Sequence, residues 1–222
     1  ISLDLGGILS NRPITGGFIG IQYHYQGNLS INARANAYVG KLYKSAQLKT
    51  RIDFPIKRQF YVEPHITYNQ WDYFKSSTDF FDNKTPSYLL QKENYAGIDV
   101  GFPVTNKGKI QFGVNYMVLK DEYYQIKNFT KLDTADQTNF NGVSVNFVFE
   151  KSTLNKKQYA NKGQQLKISS SYNAGKEIDS PGSTSYINEQ QEFDHNWFQI
   201  KLVSDGYYNN SGPVRLGYYF EL

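Results

Sequence analysis

Few side chains in this 222-residue chain are spaced for chemistry, and the sequence has three histidines and no cysteine. Gly142-Val143-Ser144-Val145-Asn146 approaches the G-x-S-x-G of a nucleophile elbow but ends in asparagine. Such an elbow also needs a strand-to-helix turn, whereas this segment sits within an alternating, strand-like stretch. His24, His65 and His195 lie far apart, and none has metal-ligand spacing to another. Glu63 and His65, two residues apart, would share one column of a strand. Asp194 beside His195 has the types for a general base, but a polar loop end at a rim is the simpler reading. Asp133-Thr134-Ala135-Asp136 offers two acids. A calcium loop of the EF type needs more oxygen ligands and a glycine at its sharp turn, so a solvated loop is expected. Lys156, Lys157 and Lys162 form a small basic cluster that could meet anionic headgroups and otherwise reads as a solvated turn. No catalytic residue, metal ligand or cofactor is assigned.

The elements that would position these residues are strands. Residues 29–39 alternate strictly: Leu29, Ile31, Ala33, Ala35, Ala37 and Val39 on one side, Ser30, Asn32, Arg34, Asn36 and Tyr38 on the other. A period of two is the signature of a half-buried strand. The pattern recurs at 46–54, 60–69, 96–102 and 110–118, and at about 143–150, 164–172, 197–204 and 214–222. Weaker strands at 2–10 and 17–26 bring the expectation to eleven. Pro64 predicts a bulge or local break, and Phe140, out of phase with Val143, predicts a bulge near Asn141-Gly142.

Length and face chemistry suggest where such strands belong. Ordinary strands run about 5–6 residues, and several here sustain alternation for longer. About eleven residues, tilted, cross the roughly 25 Å apolar band of an outer-membrane barrel. The apolar faces of the nine clearer strands carry no charged side chain. A lysine or arginine facing mid-bilayer lipid costs about 2–4 kcal/mol, which would enforce that segregation. Leu29, Ile31, Val39, Leu48, Ile52, Phe54, Ile110, Phe112, Val114, Val145 and Phe147 are therefore expected to face lipid. Arg34, Lys49, Arg51, Asp53, Glu63, Asp99, Glu150, Lys167, Lys201 and Arg215 are expected to face the lumen. With Glu93 and Glu221, the inward charges number six bases and six acids. A selective pore usually lines itself with one sign, so mixed signs suggest a lumen closed by pairing or by a plug.

Connection lengths point the same way. Long ones near 72–89, 124–139 and 176–192 alternate with shorter ones near 103–109, 152–163 and 205–213. Outer-membrane barrels have long extracellular loops and short periplasmic turns, which places 26–28 and 55–59 on the periplasmic side.

Composition narrows the class. Mean hydropathy is −0.59 and hydrophobic content 39%, with no apolar run near the ~20 residues of a spanning helix. Aromatic content is 16%, dominated by 19 Tyr and 15 Phe, types that favour strands and the edges of an apolar slab. A net charge of +4 without basic blocks gives no nucleic-acid signal. Residues 1–222 read as one domain. Its strand-like ends, odd strand count and lack of a signal peptide suggest an internal piece of something longer.

The turn Ser152–Gly163 followed by Gln164-Gln165-Leu166 resembles an element of the BamA/TamA superfamily, in which a polar P-T-x-G turn precedes a strand starting x-x-L. Here Ala160-Asn161 stands where Pro-Thr is usual. Leu5–Ile14, Gly40–Tyr43, Trp71–Ser77 and Gly101–Lys109, segments spread over about half the chain, resemble the barrel of patatin-like outer-membrane proteins of Bacteroidetes-type bacteria. That resemblance implies a longer parent with an N-terminal patatin lipase domain, a POTRA-type segment and a barrel of about sixteen strands. The lipase serine and aspartate would then lie upstream of this chain. The superfamily's V-R-G-F/Y motif has only a superficial counterpart in Pro213–Tyr218, so a substrate-inserting role is not expected.

The reading is an all-β, antiparallel transmembrane β-barrel in a bacterial outer membrane, in contact with outer-membrane lipid. It would anchor, display or export an attached phospholipase domain. A porin-like or accessory barrel without an enzymatic partner is the alternative, and a soluble β-rich binding protein the third.

Overall fold

A computed structural model describes residues 1–8, 16–57, 59–73, 89–126, 128–130, 132–156, 160–208 and 216–222. The described residues form eleven strands and no helix: β1 (Ser2–Ile8), β2 (Gly16–Gln26), β3 (Ser30–Gly40), β4 (Tyr43–Phe54), β5 (Phe60–Asp72), β6 (Leu89–Thr105), β7 (Gly108–Tyr123), β8 (Asp136–Ser152), β9 (Gly163–Ser180), β10 (Gln191–Tyr207) and β11 (Gly217–Glu221). They make a single antiparallel sheet in chain order, each strand paired with its neighbours in sequence. Among the described residues β1 does not pair with β11, so the sheet is open.

The ladders carry the alternation from strand to strand. Ile31 faces Ile52, which faces Val62, then Val100, Phe112 and Phe147. The other side of the sheet runs Lys49, His65, Gly97, Asn115, Ser144, Asn173, Trp197. Directly opposite residues in an antiparallel pair project to the same face, so each row has one polarity.

Several expectations change. β6 to β10 are 16 to 18 residues long, well beyond the alternating cores at 96–102 or 110–118. The connections shrink accordingly, to 124–135, 181–190 and a two-residue turn at Asn106-Lys107. Long and short connections do not alternate strictly. Lys41-Leu42 is a two-residue turn on the side of the long loops, and 153–162 on the other side is as long as 181–190. There is no bulge at Asn141-Gly142: β8 keeps one register throughout, and Phe140 simply belongs to the polar face. Pro64 does interrupt the β4–β5 ladder, where pairing skips from Lys49–His65 to Ile52–Val62 without a shift of register. Proline has no N–H to donate there. Among the described residues the one register shift lies at Pro103/Thr105 in the β6–β7 ladder.

The sheet is one layer thick, and it curls. Tyr61, Met117, Phe140, Asp99, Ser144 and Asn173 are buried, and all lie on the polar face. Contacts between strands two apart also occur there: Tyr61 (β5) to Gln111 (β7), His65 (β5) to Asn115 (β7), Phe140 (β8) to Trp197 (β10). A single layer can bury side chains this way only by bending towards them, so the polar face is concave and the apolar face convex.

Candidate functional site: two unlike faces

The convex face has no core to bury it. Val39, Leu48, Phe112, Val114 and Val145 are between 49% and 64% exposed. Ile31, Ile52, Phe54, Ile110 and Phe147 share that face and are half-buried by their strand neighbours. Leu29 falls in the β2–β3 turn rather than in a strand. At one end of the face Phe54 stacks on Phe60 at 4.6 Å, and Phe60 approaches Phe102 at 6.2 Å. Towards the other end the face turns charged. Lys92 and Lys120 are direct cross-strand partners that share the Glu122 carboxylate, at 3.1 and 3.3 Å. Lys176 pairs with Glu192 at 2.9 Å beside Asp194. The charge-free stretch is therefore a zone bounded by charges, which the expectation of a charge-free face did not include.

The concave face carries Arg34, Lys49, Arg51, Asp53, Glu63, Asp99, Glu150, Lys167 and Lys201. Arg215 lies outside the described residues. Most of these charges are matched locally. Lys49 meets Glu63 at 2.8 Å, Arg51 meets Asp53 at 2.7 Å, and Lys109 meets Glu150 at 3.3 Å. Lys201 pairs with Glu221, and Arg34 donates to Gln22 at 3.0 Å. The Arg51 guanidinium also lies over the Tyr61 ring, 3.8 Å from its centroid.

Glycines make this packing possible. Tyr61 lies across Gly101 and donates to Gln111 Oε1 at 2.9 Å; a Cβ at position 101 would run into the tyrosine ring. In the alternating sequence Gly97, Gly101 and Gly113 already fall on the polar face, but as blanks in the pattern rather than as crossings.

Two hollows lie along the sheet. One of about 520 Å³ lies at the turn end of the strands, between Phe54 and Phe60 of the convex face and Arg51, Tyr61 and Lys109 of the concave one. Another of about 400 Å³ is bordered by His65, Asp99, Asn115, Ser169, Ser171 and Lys201. In the second, His65 Nε2 donates to Asn115 Oδ1 at 2.8 Å, and Nδ1 stands 3.6 Å from Asp99. The polar groups around the second hollow are mutually engaged, and the first is walled largely by aromatic and proline side chains.

The candidate chemical residues do not converge. Ser144 sits mid-strand in β8, buried, and donates to Asn146 Oδ1 at 3.0 Å, so Gly142–Asn146 forms no elbow. His24 bonds Gln22, and His195 stands 3.4 Å from Glu177. His195 lies within β10 rather than at a loop end, and Asp194 projects to the opposite face. Asp133 accepts hydrogen bonds from Thr130 N at 2.6 Å and Oγ1 at 2.9 Å. Asp136 instead accepts from Gly182 N at 2.7 Å. Of the basic cluster, Lys156 and Lys162 are described and Lys157 is not. Among the described residues no three histidine, aspartate or glutamate side chains come together tightly enough to ligate a metal. No family model matches the chain, and no curated protein sequence matches it.

Proposed function

We propose that this chain is a membrane-embedded β-barrel wall, with its convex face against lipid and its concave face inward. The observation that carries this reading is the inversion of ordinary burial: Asp99, Ser144 and Asn173 are packed on one face, while Phe112, Val114 and Val145 are about half exposed on the other. Water-exposed apolar patches on monomeric proteins rarely exceed a few hundred Å², and this face runs across the whole sheet. The charge-free zone bounded by Lys92, Lys120 and Lys176 has the form that a bilayer's hydrocarbon core selects. Backbone groups in lipid must be bonded internally, which an antiparallel ladder does for every strand except the edges. The roughly sixteen-stranded barrel that the resemblance implies would supply neighbours to the open edges of β1 and β11.

In this reading the compartment is a bacterial outer membrane. The barrel anchors, displays or exports an attached patatin-like lipid acyl hydrolase, a role supported by the sequence resemblance alone. A porin-like role is disfavoured by the dense pairing of Lys49, Glu63, Arg51 and Asp53 on the concave face.

Brominated lipids test the membrane reading. Trp71 and Trp197 both lie on the concave face. In reconstituted vesicles, a Val114→Trp variant should be quenched strongly through its new indole, while the unaltered chain is quenched weakly. Equal quenching of the two, or a folded monomer in plain buffer, would sink it. The full-length gene tests the attached-enzyme role: without an upstream G-x-S-x-G in a strand-turn-helix context, that role fails.

A further inference from the structure

One corner of the molecule carries polar groups with nothing to bond. The β9–β10 connection, residues 181–190, folds back over the start of β8. Gly182 N donates to Asp136 Oδ1 at 2.7 Å, Ser183 N donates to Thr134 Oγ1 at 3.0 Å, and Thr134 N donates to Ser183 Oγ at 3.0 Å. Asp136 is only 2% exposed. Its second oxygen, Oδ2, is buried and has no hydrogen-bond partner. The other buried side-chain oxygen without a partner among the described residues, Thr184 Oγ1, belongs to the same connection.

Asp136 lines a small cavity of about 30 Å³. That is room for one water or one ion. Its other walls include Asp179, Glu189, Gln125, Gln137 and Ser180, and no lysine, arginine or histidine lines it. Asp179 is already engaged on one oxygen, accepting from Thr138 Oγ1 at 2.6 Å. The walls are thus rich in oxygen and negative in sign, with one buried carboxylate oxygen unspent. A buried carboxylate oxygen without a partner is costly, and such groups in native structures are met by water or by a cation.

We propose that this cavity binds one hard divalent cation of the calcium class, with Asp136 Oδ2 as its carboxylate ligand. Calcium takes about 6–8 oxygens at roughly 2.3–2.6 Å and accepts carbonyl, amide, hydroxyl and water oxygens readily. The three carboxylates do not close on a single point. Asp136 is therefore the direct carboxylate ligand, neutral oxygens complete the shell, and Asp179 and Glu189 balance the charge from further out. One carboxylate ligand places the affinity in the weak range of extracellular calcium modules, about 0.1–1 mM. The bound ion would clamp the 181–190 connection onto the start of β8. The proposal does not depend on the membrane reading, because the cavity lies at the strand ends under a loop.

The purified chain, stripped with a chelator, tests this directly. Thermal unfolding should shift upward by about 3–6 °C as calcium rises to the order of 10 mM, growing with the logarithm of calcium above the dissociation constant. Tyr123 also lines the cavity, so bound terbium should show tyrosine-sensitised emission that calcium displaces. Asp136→Asn should abolish both signals. Tyr123→Phe should dim the terbium emission and leave the calcium shift in place. If Asp136→Asn fails to fold, Glu189→Gln and Asp179→Asn must each weaken calcium binding several-fold. An unaltered chain that ignores both ions, or an Asp136→Asn chain that still responds, means the cavity holds water alone and overturns the proposal. So does unchanged affinity in the Glu189 and Asp179 variants.

Discussion

The rings of Phe140 and Trp197 meet at 5.6 Å although their strands, β8 and β10, do not pair. The strand between them carries Gly175 at the crossing, where a Cβ would stand 2.5 Å from Phe140 Cζ and 2.5 Å from Asn141 O. Overfilling a packed site costs about 1–3 kcal/mol. Gly175→Val should therefore lower unfolding free energy by that amount in urea titrations of the reconstituted protein. A Phe140→Ala background should recover part of the loss, because the two positions compete for one space. Equal penalties in both backgrounds would mean that the ring is not the obstacle.

Adjacent residues on β8 give a sharp contrast. Val145 projects from the convex face and Asn146 from the concave one. Val145→Lys should destabilise the bilayer-embedded protein by about 2–4 kcal/mol, while Asn146→Lys should cost only about 1 kcal/mol, the loss of the Ser144 hydrogen bond. Denaturant titrations in vesicles measure both. A soluble sheet with solvent on its convex face would tolerate Val145→Lys.

Glu63 is 12% exposed and depends on Lys49 at 2.8 Å for its countercharge. Lys49 itself is 42% exposed, so water screens the pair and trims its worth. Lys49→Met should cost about 1 kcal/mol by stranding the carboxylate, and Lys49→Met with Glu63→Gln should cost less than Lys49→Met alone. Unfolding of the four proteins in a double-mutant cycle gives the coupling.

Hydrogen bonds from Thr130 N, Thr130 Oγ1 and Ser183 Oγ hold the Asp133 carboxyl below its ordinary value. A carboxylate depressed in the folded state contributes stability above the unfolded value of about 4, and loses it as pH falls through the lower folded value. The docking of the 124–135 and 181–190 connections should therefore loosen below about pH 4. Hydrogen exchange at Thr130 N and Ser183 N should report it, and Asp133→Asn should flatten the pH dependence.

The residues of β3 show why the two faces could be read directly. From Ser30 to Val39 every apolar residue is followed by a polar one, so the face of each is written in its type. The ends of β6 and β7 could not be read that way. Leu89-Leu90-Gln91-Lys92 and Lys120-Asp121-Glu122 carry polar groups on both faces, and alternation vanishes while the backbone ladder continues. Phe140 misled because an aromatic on the polar face looks like a slipped register until its partner, Trp197, is in view. Gly182 over Asp136 joins positions 46 residues apart, and no local pattern encodes such a meeting.

Chain-order pairing has a consequence for how the polypeptide can be divided. Among the described residues each ladder joins strands that are adjacent in sequence, so no backbone ladder spans more than one connection. Cleaving the 124–135 connection would leave β1–β7 and β8–β11 each with all their own ladders, and a single seam to re-form between them. Two separately made fragments should then recognise each other along β7 and β8, as the halves of a split reporter do, with their sixteen paired positions setting the alignment.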